Sequence, residues 1–208
     1  MTPERTDKLI KVLSKRQSNL TVVMENVQDP HNISAVLRTC DAVGIQDIYI
    51  LTTKIPRHKK FGYKSSSSAL KWLTIHEFDH LEECMKAVRK NFSKILTTHL
   101  SSDAVQLYGI DFTESVALVF GNEHAGVTDE CRALADGNFI IPQMGIIQSL
   151  NISVACAVSI YEAMRQKMVA GQYDQASLPK AQMDELLTQW GVEELTPETY
   201  MPYKPKRS

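Results

Sequence analysis

The sequence has 208 residues, enough for one domain with short extensions and a sizeable core. Its composition, 43% hydrophobic and 23% charged residues, is that of an ordinary globular protein, and no apolar run approaches the roughly 18 residues that a membrane span needs. The formal net charge of −1 excludes a uniformly basic surface, so any contact with nucleic acid must be local. The first 20 residues lack the apolar core of a signal peptide, and we therefore expect a cytoplasmic protein.

Apolar spacing and turn residues predict an alternation of helices and strands along the chain. The expected helices cover 3–18, 32–43, 79–90, a short segment from 128, 151–167 and 181–190, and the expected strands cover 20–24, 47–51, 72–78, 94–99, 116–120 and 138–141. Gly44 is expected to end the second helix and Asp79 to cap the third. The strands near residues 95 and 118 are mostly apolar, as in a parallel sheet that is covered on both faces. The sequence therefore predicts an α/β fold with crossover helices.

Two polar segments interrupt this pattern. Residues 54–68 combine basic side chains with four serines and indicate a basic loop, and the segment from Gly171 onwards ends in Lys-Pro-Lys-Arg before the last serine. The predicted division is an N-terminal helical extension (1–19), a central α/β domain (20–167) and a C-terminal extension (168–208).

The cysteines and histidines give no signature of a metal site. Cys40, Cys84, Cys131 and Cys156 are widely spaced without a C-x-x-C pair, so in the cytoplasm we expect free thiols, mostly packed in helices. Residues 76–80 match the zinc protease pattern H-E-x-x-H, which requires both histidines on one helix. Here the first half continues a strand and no third ligand follows, so we expect no metal.

Three polar segments follow predicted strands, where open α/β sheets place their ligand sites. They are residues 25–38, 120–127 and 141–155, and each combines helix-capping or loop residues with side chains able to hydrogen bond. Asn32 and Arg38 are six residues apart, hence about 120° apart around a helix axis, and they could flank one cleft without stacking. Taken singly, such residues are more often caps, turn residues or solvated side chains. Only their joint order and spacing indicate a site.

Together the three segments resemble the signature motifs of the SpoU/TrmH family of SPOUT RNA 2′-O-ribose methyltransferases. The pattern N-x-x-x-x-x-R matches residues 32–38, G-x-E-x-x-G matches 121–126, and I-P-x-x-G-x-x-x-S-L-N-x-S-x-A matches 141–155. The resemblance covers about residues 20–165, and the length and terminal extensions are most similar to the branch that methylates guanosine-18 in the D-loop of tRNA. It implies a mostly parallel sheet with a C-terminal trefoil knot, a homodimer, S-adenosylmethionine (SAM) held among the knot loops, and tRNA as the partner.

The resemblance also implies roles for individual positions. The catalytic positions are Arg38, Asn32, Glu123, Ser149 and Asn151. The family position that matches Arg38 contacts the ribose 2′-hydroxyl. Because an arginine of ordinary pKa keeps its proton, we expect Arg38 to stabilise a developing alkoxide on that oxygen. The cofactor positions are Thr98, His99, Gly121, Asn122, Glu123, Ile141, Met144, Ser149, Leu150 and Asn151.

Clusters of basic residues mark the expected contacts with RNA phosphates. They lie on the N-terminal helix and in the basic loop: Arg5, Lys8, Lys11, Lys15, Arg16, Arg57, Lys59, Lys60 and Lys64.

Three alternatives remain. A non-catalytic RNA-binding homologue would be free to lose Arg38, Glu123 and Asn151, all of which are present. An rRNA methyltransferase of the same family often carries a separate N-terminal RNA-binding domain, for which the 19 residues before the first strand are too few. A Rossmann enzyme would carry G-x-G-x-x-G after the first strand, where residues 25–32 contain no glycine.

Overall fold

The fold is built on one parallel sheet. The computed structural model describes residues 1–57 and 69–192. Seven strands lie in the order β3-β2-β1-β6-β4-β7-β5, and all neighbouring pairs are parallel. The strands are β1 (Leu20–Glu25), β2 (Asp47–Leu51), β3 (Thr74–Phe78), β4 (Lys94–Thr98), β5 (Val105–Gln106), β6 (Val116–Phe120) and β7 (Gly137–Ile140). The predicted α/β class is confirmed, and the trefoil knot stays a prediction.

Six α-helices connect and cover the strands in the described part of the chain. They are α1 (Pro3–Leu13), α2 (Pro30–Val43), α3 (Leu81–Asn91), α4 (Asp129–Ala133), α5 (Ile152–Val169) and α6 (Lys180–Gln189). As predicted, Gly44 ends α2 in the left-handed region with φ 87°, a conformation that glycine adopts without a Cβ penalty. The cysteines of α2, α3, α4 and α5 are free and buried, which confirms that prediction.

The sheet separates two hydrophobic layers, and the inner strand β1 contributes to both. Because successive residues of a strand point to opposite faces, Val22 and Met24 join the layer of α2 and α5, whereas Val23 joins the layer of α3. Helices α2 and α5 also pack against each other. Because helices cover both faces of the sheet, the inner strands are buried on both sides and are therefore continuously apolar.

The helices α1 and α6 form a third apolar cluster, away from the sheet. Leu9 and Leu13 of α1 pack with Met183 and Leu187 of α6. The ring of Trp190 meets that of Trp72 edge-on, with centroids 5.3 Å apart. The predicted boundaries at residues 19/20 and 167/168 remain predictions.

Arg16 corrects two expectations. Helix α1 ends at Leu13 instead of continuing to residue 18, and the chain then places the Arg16 side chain at 0% exposure. The Arg16 guanidinium pairs with the Asp41 carboxylate at 2.6 Å and donates to the carbonyl of Ile45 at 3.0 Å. A guanidinium that is buried and paired in this way cannot reach an RNA phosphate, so the expected RNA contact of Arg16 is wrong.

Asp79 does not cap the third helix. Helix α3 begins after His80 without a side-chain cap, and Asp79 instead pairs with Arg57 at 2.9 Å. The two-residue edge strand β5 was not expected from the sequence either, since two residues carry no periodic signal. Within residues 1–57 and 69–192, no helix has the length and apolar character needed to cross a bilayer.

Candidate active site

A cleft of about 1050 Å³ opens at the carboxyl ends of β4, β6 and β7. Its walls are the strand ends themselves, the loop 121–126 that follows β6, and the loop 141–151 that leads into α5. This is the edge at which parallel α/β sheets bind ligands, and the volume is close to the upper end of small-molecule sites, roughly 300–1,000 Å³. All ten cofactor positions proposed from the sequence line this cleft: Thr98, His99, Gly121, Asn122, Glu123, Ile141, Met144, Ser149, Leu150 and Asn151.

The loop 121–126 is a tight turn that requires its glycines. The backbone of Asn122 exchanges two hydrogen bonds with Gly126, at 3.0 and 2.9 Å. A Cβ on Gly121 would lie 2.1 Å from the carbonyl carbon of Gly126, and Gly126 itself has φ 70°. Glycine at both positions therefore fixes the path of this cleft wall.

Residues at the end of β1 hold the loop 121–126 in place through hydrogen bonds. The Asn122 amide donates to the carbonyl of Asn26 at 2.9 Å. The buried Glu25 carboxylate accepts hydrogen bonds from the backbone N–H of Thr128 at 2.9 Å and from its hydroxyl at 2.5 Å. Both ends of the loop are thus tied to the strand that precedes Asn32.

One hydrogen-bonded chain joins the three polar segments. Glu123 Oε1 accepts from the side-chain amide of Asn32 at 2.9 Å, and Asn32 Oδ1 accepts from the amide of Asn151 at 3.1 Å. Asn151 Oδ1 in turn accepts from the backbone N–H of Ser153 at 2.9 Å and caps α5. The starts of α2 and α5 are therefore both set against the loop after β6.

Glu123 also holds the segment that precedes α2. Its two carboxylate oxygens accept from the backbone N–H groups of Gln28 and Asp29, at 3.1 and 3.2 Å. Burial acts to raise the pKa of Glu123, but the hydrogen bonds from Asn32, Gln28 and Asp29 outweigh it and hold the pKa below its ordinary value. Glu123 is therefore a charged acceptor that holds the segment before α2 and the Asn32 side chain in place.

The loop 141–151 forms the most exposed wall of the cleft. Met144 is 96% exposed and Ile147 is 68% exposed, and both line the cleft together with Ser149 and Leu150. Apolar side chains beside hydroxyl and amide groups are the usual lining of a small-molecule pocket.

Arg38 stands apart from the other catalytic candidates. It is exposed on α2, it is not part of the cleft lining, and it makes no hydrogen bond or ion pair with any residue within 1–57 or 69–192. The expected rotation explains this, because Arg38 lies about 120° around the helix and about 9 Å along its axis from Asn32. The structure brings together Asn32, Glu123 and Asn151, with Ser149 on the same cleft, and leaves Arg38 free to meet a ligand.

Two features of the site carry no sequence signal. The backbone N–H groups of Gln28 and Asp29 are donors whatever their side chains are, so no pattern marks them. Arg132 on α4 contacts the ring nitrogen Nε2 of His99, which lines the cleft, and also pairs with Asp129. His99 and Arg132 come from separate elements, and only the fold brings them together.

Apart from the buried Arg16, the basic residues expected to contact RNA differ in their surroundings. Arg5, Lys8 and Lys11 are exposed on α1. Lys15 is half-buried and donates to the carbonyl of Tyr173 at 2.5 Å. Arg57 is exposed but paired with Asp79, and three residues, Lys59, Lys60 and Lys64, lie outside the described residues.

The H-E-x-x-H segment does not have the geometry of a zinc site. His76 lies on β3, where its Nε2 is 2.8 Å from Asp47 Oδ1 and its ring stacks on Tyr49, whereas His80 precedes α3. The two histidines therefore belong to different elements. Among the described residues, no three His, Cys, Asp or Glu side chains are grouped so as to hold a metal ion.

A parallel sheet with helices on both faces and a polar cleft at the carboxyl ends of its strands is the arrangement of an α/β protein with a candidate ligand site at that edge. The profile of the SpoU rRNA Methylase family matches residues 19–161, and the chain belongs to this family.

Relatives match almost the whole chain. A tRNA (guanosine(18)-2′-O)-methyltransferase of Thermus thermophilus is 38% identical over 191 residues, which are 91% of this chain and 96% of that protein. The crystal structure of the TrmH/SpoU tRNA modifying enzyme of A. aeolicus has a TM-score of 0.83 and 36% identity, over 90% of this chain and 94% of that one. The AdoMet complex of the SpoU methyltransferase AviRb from Streptomyces viridochromogenes has a TM-score of 0.65 and 25% identity, over 75% of this chain and 62% of that one.

Proposed function

We propose that this chain transfers a methyl group from SAM to the ribose 2′-oxygen of guanosine-18 in the D-loop of tRNA. The observation that carries the proposal is the hydrogen-bonded chain from Glu123 through Asn32 to Asn151, which joins all three family motifs at one cleft. The Thermus thermophilus relative, whose name states this activity and of which the match covers 96%, supports the choice of tRNA. We infer a cytoplasmic location from the same substrate.

The residues of the cleft fit SAM. The apolar side chains of Ile141 and Leu150 suit an adenine face, while the hydroxyls of Thr98 and Ser149 and the backbone near Gly121 offer groups for its polar edges. Bound SAM supplies a methyl group that its sulfonium already activates. The task of the protein is then mainly alignment of the ribose oxygen, which can lower a barrier by up to about 7–11 kcal/mol.

The remaining side chains divide this task. Glu123 fixes the segment before α2, so that Asn32 and Asn151 present their amides at one edge of the cleft. Arg38, exposed and without a partner among the described residues, offers a fixed positive charge to the oxygen as it loses its proton. We therefore assign alignment to the Glu123 network and charge stabilisation to Arg38.

Methylation of defined RNAs tests the proposed function. The purified chain is incubated with labelled SAM and an unmodified tRNA transcript, and the ribonucleosides are analysed by mass spectrometry. We expect 2′-O-methylguanosine in the intact transcript and none in a transcript with 2′-deoxyguanosine at position 18. Methylation of an rRNA fragment but not of tRNA would show that the chain is an rRNA methyltransferase of the same family. RNA binding without SAM and without methylation would show that it is a non-catalytic RNA-binding homologue.

We propose that the exposed face of α1 contacts the tRNA backbone. Arg5, Lys8 and Lys11 are exposed there, while the apolar side of α1 is buried against α6. Replacing these three residues by glutamine should leave SAM affinity unchanged and lower the slope of log Kd against log salt by about 0.7–0.9 for each lost phosphate contact. Replacing Lys86 and Lys90 of α3, which are also exposed, is the matched control. An unchanged slope in the α1 variant would contradict this assignment.

We propose that the active form is a homodimer that packs through α5. Val154, Tyr161 and Met168 are 46%, 50% and 57% exposed, and their spacing of seven residues places them on one stripe of this helix. An apolar stripe opposite the buried side of a helix is suited to a second copy of the chain. Light scattering should give a dimer for the wild type and a monomer for Tyr161→Glu. A wild-type monomer with full activity would refute the dimer.

A further inference from the structure

The proposed reaction requires a group that takes the proton of the ribose 2′-hydroxyl, and the inference below rests on that proposed function. Arg38 only donates hydrogen bonds and does not serve as this group. The remaining titratable side chains of the cleft wall and of the start of α2 are Asp29, Glu123, His31, His99 and His124.

Three of these groups are less suited to the task. Glu123 accepts three hydrogen bonds, and its pKa lies below the ordinary value. Asp29 Oδ1 caps α2 by accepting from the backbone N–H of His31 at 2.8 Å, and a carboxylate is intrinsically a weaker base than an imidazole. The Nε2 lone pair of His99 faces Arg132, and because a guanidinium only donates, the other nitrogen of a neutral ring carries the hydrogen.

His31 and His124 remain. Both are exposed, and neither imidazole makes a hydrogen bond within the described part of the chain. His124 lies in the loop 121–126, whereas His31 lies in the first turn of α2, next to Asn32. His31 therefore lies on the same helix as Arg38, whereas His124 does not.

His31 and Arg38 lie on one stripe of α2. Seven residues make about 700° of rotation, only about 20° short of two turns, and separate the two Cα atoms by about 10.5 Å along the axis. Helical side chains generally lean towards the N-terminus, so a long side chain at position 38 can reach back towards position 31. Ala35, the residue of the stripe between them, is too small to fill the gap. One nucleotide lying along this stripe can meet both side chains.

We propose that His31 is the base that takes the ribose 2′-hydroxyl proton. The O–H bond breaks and its proton passes to an imidazole nitrogen of His31. The electron pair left on the oxygen forms the new bond to the methyl carbon, while the bond from carbon to sulfur breaks and its pair stays on the sulfur. Arg38 stabilises the negative charge on the oxygen during this step, and the imidazolium releases its proton to water afterwards.

Among the described residues, the charged groups on residues 29–40 and on the segments bonded to the start of α2 are Asp29 at the cap, Glu123 of the loop after β6, and Arg38 on α2 itself. Glu123 keeps its charge through the neutral range, because hydrogen bonds hold its pKa below the ordinary value. Loss of a pH-dependent rise in rate in one histidine variant, and not in the others, assigns that rise to the replaced imidazole.

Single-turnover rates against pH test the assignment. We compare wild type, His31→Gln, the other candidate His124→Gln and the control His80→Gln, which is exposed before α3 and outside the cleft lining. All are assayed with saturating SAM and unmodified tRNA transcript, and SAM and tRNA affinity is measured for each. The wild-type rate should rise with pH and level off, and His31→Gln should lose this rise and react about 10²–10⁴-fold more slowly. SAM and tRNA affinity should be unchanged in His31→Gln, His80→Gln should behave as wild type, His124→Gln should keep the pH-dependent rise, and free imidazole should partly restore His31→Ala.

Each other outcome overturns the assignment. If His31→Gln retains the pH-dependent rise, or loses only tRNA affinity, His31 is not the base. If the rise disappears in His124→Gln instead, the base is His124. If the wild type methylates no tRNA at all, the proposed function itself fails, which separates that failure from failure of the assignment to His31.

Discussion

Glu123 shows how one carboxylate can hold several backbone and side-chain groups in place beside a cleft. Its carboxylate collects one side-chain amide and two backbone N–H groups that belong to the start of α2 and the segment before it. Because these bonds favour the charged form, they lower the pKa of Glu123. Replacing it by glutamine would remove the charge and one acceptor, and the start of α2 would lose its fixed position.

Arg38 is the residue whose role is most open to test. Arg38→Ala should slow single-turnover methyl transfer by about 10²–10³-fold and leave SAM affinity unchanged, because the charge is needed only as the alkoxide forms. Arg38→Lys should restore little, since an ammonium lacks the planar fork of the guanidinium. Lys86→Ala, at an exposed helical position of α3, serves as the control. Normal rates for both Arg38 variants would make it a solvated helix residue without function.

The residues of the site could be predicted from the sequence, but their contacts could not. Asn32, Glu123 and Asn151 stand at fixed places within three motifs, and order and spacing were enough to select them. Their hydrogen bonds join positions 91 and 119 residues apart, which only the fold brings together. Arg16 shows the opposite error, because a basic residue near basic neighbours suggests RNA, whereas burial beside Asp41 gives it a structural role.

Among the elements, the loop 121–126 gives the sharpest expectation. Gly121→Ala should lower SAM affinity at least about tenfold, equivalent to about 1.4 kcal/mol, because its Cβ would lie 2.1 Å from the backbone of Gly126 and would push the cleft wall aside. Gly145→Ala is the matched control, since a Cβ there has no atom within 4 Å. Calorimetry measures both affinities. Equal affinities for the two variants would show that this wall does not hold the cofactor.

The positions of the elements could be predicted to within a few residues where apolar runs are long. Strands β2 and β6 begin and end where the sequence indicates, because their apolar residues are continuous and bounded by polar ones. The start of α3 was missed because Asp79 matches a capping pattern but finds Arg57 as its partner. Local patterns therefore locate an element, whereas its ends depend on tertiary contacts.

For the whole molecule, Lys167 predicts how stability depends on pH. Its side chain is 0% exposed, and burial lowers its pKa to about 8. An unfolded lysine titrates near about 10.4, so between these values the unfolded chain binds more protons and stability rises with pH. We expect the difference in unfolding free energy between wild type and Lys167→Met to shift by about 1–2 kcal/mol in favour of the wild type between about pH 7.5 and about pH 9.5.

Comparison with a variant is essential in this measurement. Burial raises the pKa values of Cys84, Cys131 and Tyr173 to about 12. Because the unfolded chain loses these protons at lower pH than the folded chain does, these three groups lower the free energy of unfolding as pH rises above their ordinary pKa values. Urea titrations of wild type, Lys167→Met and the exposed control Lys94→Met separate these contributions. An identical pH dependence in wild type and Lys167→Met would show that Lys167 is not the source.

The packing of α1 against α6 has a consequence for the synthesis of the chain. The ribosome makes Leu9 and Leu13 about 170 residues before their partners Met183 and Leu187. At a synthesis rate of about 5–20 residues per second, roughly 10–35 s pass between the synthesis of α1 and that of the α6 residues that bury its apolar side. During this interval the apolar side of α1 has no final partner, and a purified chain truncated after residue 179 should therefore leave α1 more open to proteolysis than the strands of the sheet.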